Sequence, residues 1–304
     1  MSRIVVTGGA GRLGRSLVAG LAERGHEVVS FDRAPAENLQ VAHVSLDLTD
    51  AAATAHALTD AQADAVIHLA AIAVPFSAPE DVILRTNAAL AMSVLGGAVQ
   101  AGIPKIVAAS SPTVIGYGAP TGWTPDRLPL DEVSPTLPWN AYALSKLLIE
   151  QSIAMLQRQT GDAVRFAAFR PCYVIAPEEW GGAPTQQGHT VRERLDDPAL
   201  SAPALFNYVD ARDVATFADT LLAALGDIPS GEVFFVGADD ALAREPLADL
   251  LPRFHPGTAA AAAELTGTTP AFSNAKARAL LGWTPAHDWR TELAAADDRS
   301  DVHA

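Results

Sequence analysis

The chain has 304 residues, 49% hydrophobic and 18% charged, enough apolar material for a large buried core; this excludes intrinsic disorder, a collagen-like repeat and a disulfide scaffold. Twenty-one Lys and Arg against 35 Asp and Glu leave a net charge of −14, a field that repels phosphate backbones and anionic bilayers, so neither nucleic acid nor membrane is expected as a partner. Cys172 is the single cysteine, and the chain passes from Met1-Ser2-Arg3 straight into an apolar strand pattern with no signal peptide, so a cytoplasmic protein is expected.

Apolar β-branched runs alternate with helical patterns through the first half. The spacing predicts strands at 4–6, 28–31, 41–46, 65–69, 106–109 and 164–169. Helices are predicted at 13–24, 49–58, 80–101 and 141–159, with Gly25, Gly102, Pro104 and Gly161 as stops. The charge-free run between Arg85 and Lys105 carries Asn87, Ser93 and Gln100, which suits a buried helix and not a membrane span. Continuous apolar strands separated by helices indicate an α/β fold with a doubly wound parallel sheet. The second half is less regular. A Pro- and Gly-rich stretch over 170–204 precedes a helix at 210–225, a strand at 232–236, an Ala-rich fragment at 259–264 and a short helix at 273–281. The last dozen residues read as a frayed polar tail.

The strongest local signal is Thr7-Gly8-Gly9-Ala10-Gly11-Arg12-Leu13-Gly14, between the first strand and the first helix. Gly8 permits the tight turn, Gly11 lets backbone approach a pyrophosphate, and Gly14 lets helix and strand pack closely. The free N–H groups and dipole of the helix N-terminus favour the negative charge. Asp32 closes the second strand 18 residues after Gly14, near the offset of an acid that accepts hydrogen bonds from an adenosine ribose diol. That favours NAD, while Arg12 and Arg33 leave NADP open. Asp47, followed by Leu48, has two readings, an adenine contact or the N-cap of the 49–58 helix. The fold is therefore expected to be a Rossmann dinucleotide-binding domain over 1–170. The segment 171–304 returns elements to that core and forms a small C-terminal lobe capping the substrate.

A second constellation is Tyr142-Ala143-Leu144-Ser145-Lys146. Residues four apart share a helical face, so phenol and ammonium meet, and a nearby ammonium is expected to lower the phenol's pKa. Tyr142 would then exchange a proton with a substrate hydroxyl.

Together these motifs resemble the extended branch of the short-chain dehydrogenase/reductase superfamily, the NAD-dependent epimerases, dehydratases and sugar dehydrogenases. The resemblance runs on through His68-Leu69-Ala70-Ala71, Asn87, Ser110-Ser111-Pro112-Thr113, Arg170-Pro171, Tyr208-Val209-Asp210-Ala211-Arg212-Asp213 and Ser273-Asn274-Ala275-Lys276. It implies that Ser111, Tyr142 and Lys146 are catalytic, with Ser110 and Thr113 as stand-ins for Ser111. It implies a cofactor site made by Gly8, Ala10, Gly11, Arg12, Leu13, Gly14, Asp32, Arg33, Asp47, Leu48, Leu69, Ala70, Ala71, Asn87, Tyr142 and Lys146, with Pro171 and Cys172 contributing backbone near the nicotinamide. His68 reads as a buried, hydrogen-bonded histidine, and Cys172 lacks a paired base for nucleophilic work. The family also implies a homodimer through the helices at 80–101 and 141–159.

Val114-Ile115-Gly116-Tyr117, with Ile115 where a tyrosine is common, is closer to the uronate and sugar dehydrogenase-like subgroup than to the UDP-sugar epimerases. The stretch from Arg170 to Tyr208 is short for a nucleotide-sugar cap. Its His189, Arg192 and Arg194 are the cationic or polar anchors; Arg192 or Arg194 could pair with a substrate carboxylate, but the two read better as solvated beside Glu193 and Asp196. The expected function is therefore hydride transfer between NAD and a CH–OH or C=O group of a small sugar, sugar acid or polyol. The alternative is a UDP-sugar type 4-epimerase or dehydratase with tightly bound NAD. A non-enzymatic dinucleotide sensor is disfavoured by the retention of Tyr142 and Lys146. The eight histidines show no metal-ligand spacing, so no metal is expected, and no Gly-x-Ser-x-Gly elbow suggests a hydrolase.

Overall fold

The computed structural model describes residues 1–36 and 39–301. The chain separates into two compact units: Met1–Ile115 with Thr136–Arg170 and Ala215–Phe234, and Gly116–Pro135 with Pro171–Val214 and Phe235–Ala304. The 116–135 segment, which the sequence division leaves in the first domain, thus belongs to the second unit.

In the first unit, β1 (Arg3–Thr7), β2 (Glu27–Asp32), β3 (Ala42–Ser45), β4 (Ala65–His68), β5 (Lys105–Ala109) and β6 (Arg165–Pro171) lie in the order β3-β2-β1-β4-β5-β6. The strand Glu232–Val236 completes the seven-stranded sheet. The pairings among β1 to β6 are parallel, with Thr7 of β1 level with Phe31 on one side and His68 on the other. The direction of winding reverses between β1 and β4, and open α/β sheets bind ligands at such a switch point, beyond the carboxyl ends of the strands. The fold is the expected doubly wound Rossmann sheet.

Helices α1 (Arg12–Glu23), α2 (Ala51–Ala61), α3 (Glu80–Gln100) and α4 (Ala141–Thr160) cover this sheet. Val5, Val29, Leu58, Val66, Leu95, Ile106, Ile149 and Phe166 form one continuous buried cluster between sheet and helices. Among the described residues, α3 is the one helix long and apolar enough to cross a membrane. Its Ile83, Val94, Leu95 and Ala98 are fully buried, so its hydrophobicity is spent on the core.

The start of α2 corrects the capping alternative for Asp47. Asp50 is the N-cap, its carboxylate accepting from Ala53 N at 3.0 Å. Asp47 instead accepts from Thr49 N at 2.9 Å and Thr49 Oγ1 at 2.7 Å, a local turn that lets Leu48 bury before the helix begins. Asp50→Ala should therefore lower unfolding stability by about 1 kcal/mol in a denaturant titration. Asp47→Ala, which uncaps nothing, should lower it less.

The second unit holds a two-stranded parallel pair, Val174–Ile175 with Val209–Asp210, and short helices. Its core gathers Ile175, Trp180, Val191, Leu195, Tyr208, Leu242, Trp289 and Leu293. The Asp210-Ala211-Arg212-Asp213 motif acts here as a clamp. Asp210 accepts from Trp180 Nε1 at 2.7 Å and pairs with Arg212, which also reaches Glu292 at 2.9 Å. Asp213 accepts from Ala286 N and His287 N, each at 3.0 Å. The expected frayed tail is corrected as far as Asp301: Trp289–Asp301 is helical, with Trp289, Leu293 and Ala296 buried at helical spacing, and 302–304 lie outside the described residues. The helix Leu247–Phe254 was missed because Pro252 sits inside it, although Leu247, Leu250 and Leu251 carry an apolar stripe.

Candidate active site

The glycine loop is shaped by contacts that side chains would destroy. Gly8 has φ +73°, and a Cβ there would lie 2.8 Å from Ala70 N. A Cβ on Gly14 would overlap Gly8 O and lie 2.8 Å from Gly9 Cα. Gly11 is the N-cap of α1 and offers no side chain, and the first turn, Arg12, Leu13 and Gly14, holds no acid. The helix N-terminus is thus shaped for an anion. Ala10 N donates to Asp32 Oδ2 at 3.2 Å, and Ala34 N donates to Asp32 Oδ1 at 3.0 Å, so the carboxylate at the end of β2 is held against the loop. Arg33 is exposed beside it, and Arg33 together with the Thr49 hydrogen bonds holds Asp47 below the usual carboxylate range, the Thr49 bonds weighing more. A bare helix N-terminus with a fixed carboxylate one strand away fits a dinucleotide.

At the end of β4, His68 Nδ1 and Thr7 Oγ1 are 2.8 Å apart, which joins the two central strands at the switch point. Leu69, Ala70 and Ala71 then run out beside the glycine loop. Asn87 of α3, 1% exposed, accepts from Ile72 N at 2.7 Å and donates to Ile72 O at 3.2 Å and to Ser145 Oγ at 3.0 Å. It clamps the outgoing loop to α4. The buried histidine reading describes His68, with one refinement: Nε2 is enclosed and has no hydrogen-bond partner. Burial, helped by the charge of Lys146, pushes its pKa down to about 3. The neutral ring is thus favoured in the fold, while the unfolded ring protonates near its ordinary value of about 6.5. The unfolded chain binds more protons between those values, so this contribution is present near neutrality and is lost as pH falls from about 6.5 towards 3. His68→Asn should therefore flatten the acid limb of a stability–pH curve relative to the wild type, and parallel curves would contradict it.

Ser111, at the end of β5, accepts from Thr113 Oγ1 at 2.9 Å and Thr113 N at 3.3 Å, and hydrogen-bonds Tyr142. Tyr142 lies in the first turn of α4, capped by Asn140, whose side chain accepts from Ala143 N at 2.9 Å. Lys146, one turn on, donates Nζ to Ala109 O at 2.9 Å and sits 5.8 Å from the Tyr142 ring centroid. The expected lowering of the phenol pKa is corrected. Burial raises Tyr142, offset in part by the Ser111 hydrogen bond, and Lys146 itself is pushed down to about 8 by burial. One ammonium N–H donates to a backbone carbonyl, and burial outweighs the Ser111 bond, so in this state the phenol is held protonated.

Sequence reasoning missed the support beneath this triad. Ser110 Oγ donates to Glu150 Oε1 at 2.5 Å, and Glu150 takes a bidentate pair of bonds from Arg170 at 2.8 and 2.9 Å. Glu150 lies four residues after Lys146 on the same face of α4, which is the signal that could have found it. Of the other predicted residues, Pro171 closes β6 and Cys172 is buried in the second unit, its N–H donating to Val236 O at 2.9 Å. Burial raises the Cys172 thiol pKa, which agrees with an unreactive cysteine. Arg192 pairs with Asp297, whereas Arg194 is 1% exposed, donates to Gln187 Oε1 at 2.6 Å and stacks 4.2 Å from the Tyr173 ring centroid. The solvated reading is thus wrong for Arg194. Tyr117 packs edge-on against Trp123 and Phe272.

Fold, glycine loop and the gathering of Ser111, Tyr142 and Lys146 define a Rossmann protein with a candidate site at the carboxyl ends of its strands. The chain belongs to the NAD dependent epimerase/dehydratase family, whose profile matches residues 4–237. NAD is the cofactor of that family. The chain is 35% identical over 158 residues to the UDP-glucose 4-epimerase of Azospirillum brasilense, covering 50% of this chain and 43% of that protein. It is 26% identical over 317 residues to the UDP-glucose 4-epimerase of Corynebacterium glutamicum, covering 95% and 93%. The crystal structure of a short-chain dehydrogenase/reductase superfamily protein from Agrobacterium tumefaciens with bound NAD superposes with a TM-score of 0.71 at 26% identity, covering 99% of this chain and 98% of that one.

Proposed function

We propose that the protein is an NAD-dependent nucleotide-sugar 4-epimerase, acting on a UDP-hexose. This reading replaces the small-sugar dehydrogenase as the preferred one. It is carried by the likeness to a UDP-glucose 4-epimerase along nearly the whole length of both chains, together with the Ser111–Tyr142–Lys146 site. The dinucleotide would rest its pyrophosphate on Gly8, Ala10, Gly11, Arg12, Leu13 and Gly14. Its adenosine would meet Asp32, Arg33, Asp47 and Leu48, and it would run past Leu69, Ala70 and Ala71 on the loop that Asn87 fixes. Lys146 would hold the nicotinamide ribose, and Pro171 and Cys172 would offer backbone to the carboxamide.

NAD, when bound, would supply a reversible hydride acceptor and a positively charged nicotinamide. Ser111 holds the substrate O4 by a hydrogen bond. Tyr142 accepts the O4 proton as the C4 hydride leaves, and keeps it on its phenol oxygen. Tyr142 would give the proton back to O4 once C4 has inverted, so that no base is consumed. No net redox change results. Purified protein with UDP-glucose should therefore form UDP-galactose with no rise in absorbance at 340 nm. Accumulation of NADH from added NAD and a free sugar or sugar acid, with no UDP-sugar turnover, would restore the dehydrogenase reading.

The same reading extends to a cytoplasmic homodimer. Met92 of α3 and Leu144, Leu148 and Met155 of α4 are 37–43% exposed and support pairing through these two helices. Light scattering at micromolar concentration should give twice the chain mass, and a monomer would contradict it.

A further inference from the structure

The loop from β4 to α3 and the approach to α4 bring two large aromatic side chains to the surface of the first unit. Phe76 and Trp139 lie with ring centroids 5.6 Å apart at an interplanar angle of 37°. They are 60% and 37% exposed, and Leu137 beside Trp139 in sequence is also 60% exposed. Phe76 adopts φ +62°, a conformation that costs a bulky residue on the order of 1–3 kcal/mol and that collects at functional sites. Exposed ring surface gains little from burial, and the positive φ of Phe76 adds a cost.

The loop that carries Phe76 packs on the turn that holds Tyr142. Ile72 and Ala78, from the loop that carries Phe76, pack with Ile83 on Ala141 and Tyr142. Glu80 Oε2, at the end of that loop, accepts from Ala141 N at 2.6 Å. Asn87 clamps its beginning through both polar groups of Ile72. Trp139 stands immediately before the α4 N-cap and three residues before Tyr142. Trp139 and the loop that carries Phe76 thus adjoin the contacts that hold the Tyr142 turn.

Resting on the epimerase reading, we propose that Phe76 and Trp139 form an aromatic platform that takes the apolar C–H face of the substrate's pyranose ring and sets the enzyme's preference for a hexosyl group. The electron-rich faces of the two rings attract polarised C–H bonds, and their area dries one side of the sugar while its hydroxyls stay free for hydrogen bonds. A platform of this kind discriminates by the presence and shape of the sugar and is indifferent to the nucleotide.

The test is calorimetric titration of NAD-saturated protein with UDP-glucose and, separately, with UDP. Trp139→Ala and Phe76→Gly should each weaken UDP-glucose by about 3–10-fold and leave UDP unchanged. Trp139→Phe should recover most of the loss. Phe76→Gly should keep or raise the melting temperature, because glycine relieves the positive φ, so lost affinity cannot be assigned to unfolding. Wild-type UDP-glucose affinity in both variants would overturn the platform and leave the reaction untouched. Equal losses for UDP and UDP-glucose would overturn it as general damage. Dissociation of the oligomer with unchanged sugar affinity would make the pair a protein interface instead. If the wild type binds neither ligand, the nucleotide-sugar reading itself falls, and the platform with it.

Discussion

Tyr142→Phe should leave the fold and NAD binding intact and lower kcat by about 10²–10⁴-fold, the usual contribution of a positioned general acid–base. The substitution removes one oxygen and keeps the ring, which is 8% exposed and packed with Ile83 and Ala141. The Ser111 hydroxyl donates to the phenol oxygen and loses that acceptor on the change, while its Oγ still accepts from Thr113. Ser111→Ala should cost less, since it deletes one hydrogen bond and leaves the proton acceptor in place. Because burial raises the phenol and Lys146 donates to Ala109 O, ionisation of Tyr142 should depend on the cofactor's positive charge. The phenolate absorbance of wild type minus Tyr142→Phe should then appear at lower pH with NAD bound than without it. Near wild-type turnover in Tyr142→Phe on a verified substrate would show that the base is another group.

Glu150→Ala should have the largest effect on stability, about 3–5 kcal/mol, because it removes the carboxylate that neutralises a guanidinium with only 3% side-chain exposure. It also strips Ser110 Oγ of its short acceptor. The pair spans β5, α4 and β6, so its loss loosens the strand end that carries Ser111 and the helix that carries Tyr142 and Lys146. Replacing both partners with apolar residues of similar volume, Glu150→Leu with Arg170→Met, should recover most of the stability, since no buried charge is then left alone. Urea titrations of the two variants against wild type decide this. A loss near zero for Glu150→Ala would mean that water reaches the pair.

The shape of the glycine loop and the place of Asp32 beside it were legible because their physics is local. Gly8, Gly11 and Gly14 are required within one turn between strand and helix, and Asp32 follows at the end of the next strand. The Tyr142–Lys146 spacing was legible for the same reason, being one helical turn. What the spacing could not convey was burial. Two groups placed four apart say nothing about whether the ammonium is turned towards the phenol or towards a backbone carbonyl, and the fold chose Ala109 O. The Glu150–Arg170 pair was hidden because its partners are joined only when β6 lies next to β5 beneath α4. Asp50 was passed over for Asp47 because either acid can stop a strand, and the choice falls to the buried position of Leu48 between them. The helix Trp289–Asp301 was read as a tail because its charged residues dominate its composition, although Trp289, Leu293 and Ala296 repeat at helical spacing.

The central claim is that this chain inverts a sugar carbinol with Tyr142 as proton carrier and with no net oxidation. Proton NMR of purified protein incubated with UDP-glucose, its anomeric signals followed over time, tests it most directly. The account predicts growth of the UDP-galactose anomeric signal to a constant ratio in the wild type, with that approach slowed about 10²–10⁴-fold by Tyr142→Phe. A wild-type spectrum that shows only UDP-glucose after prolonged incubation with NAD would contradict it.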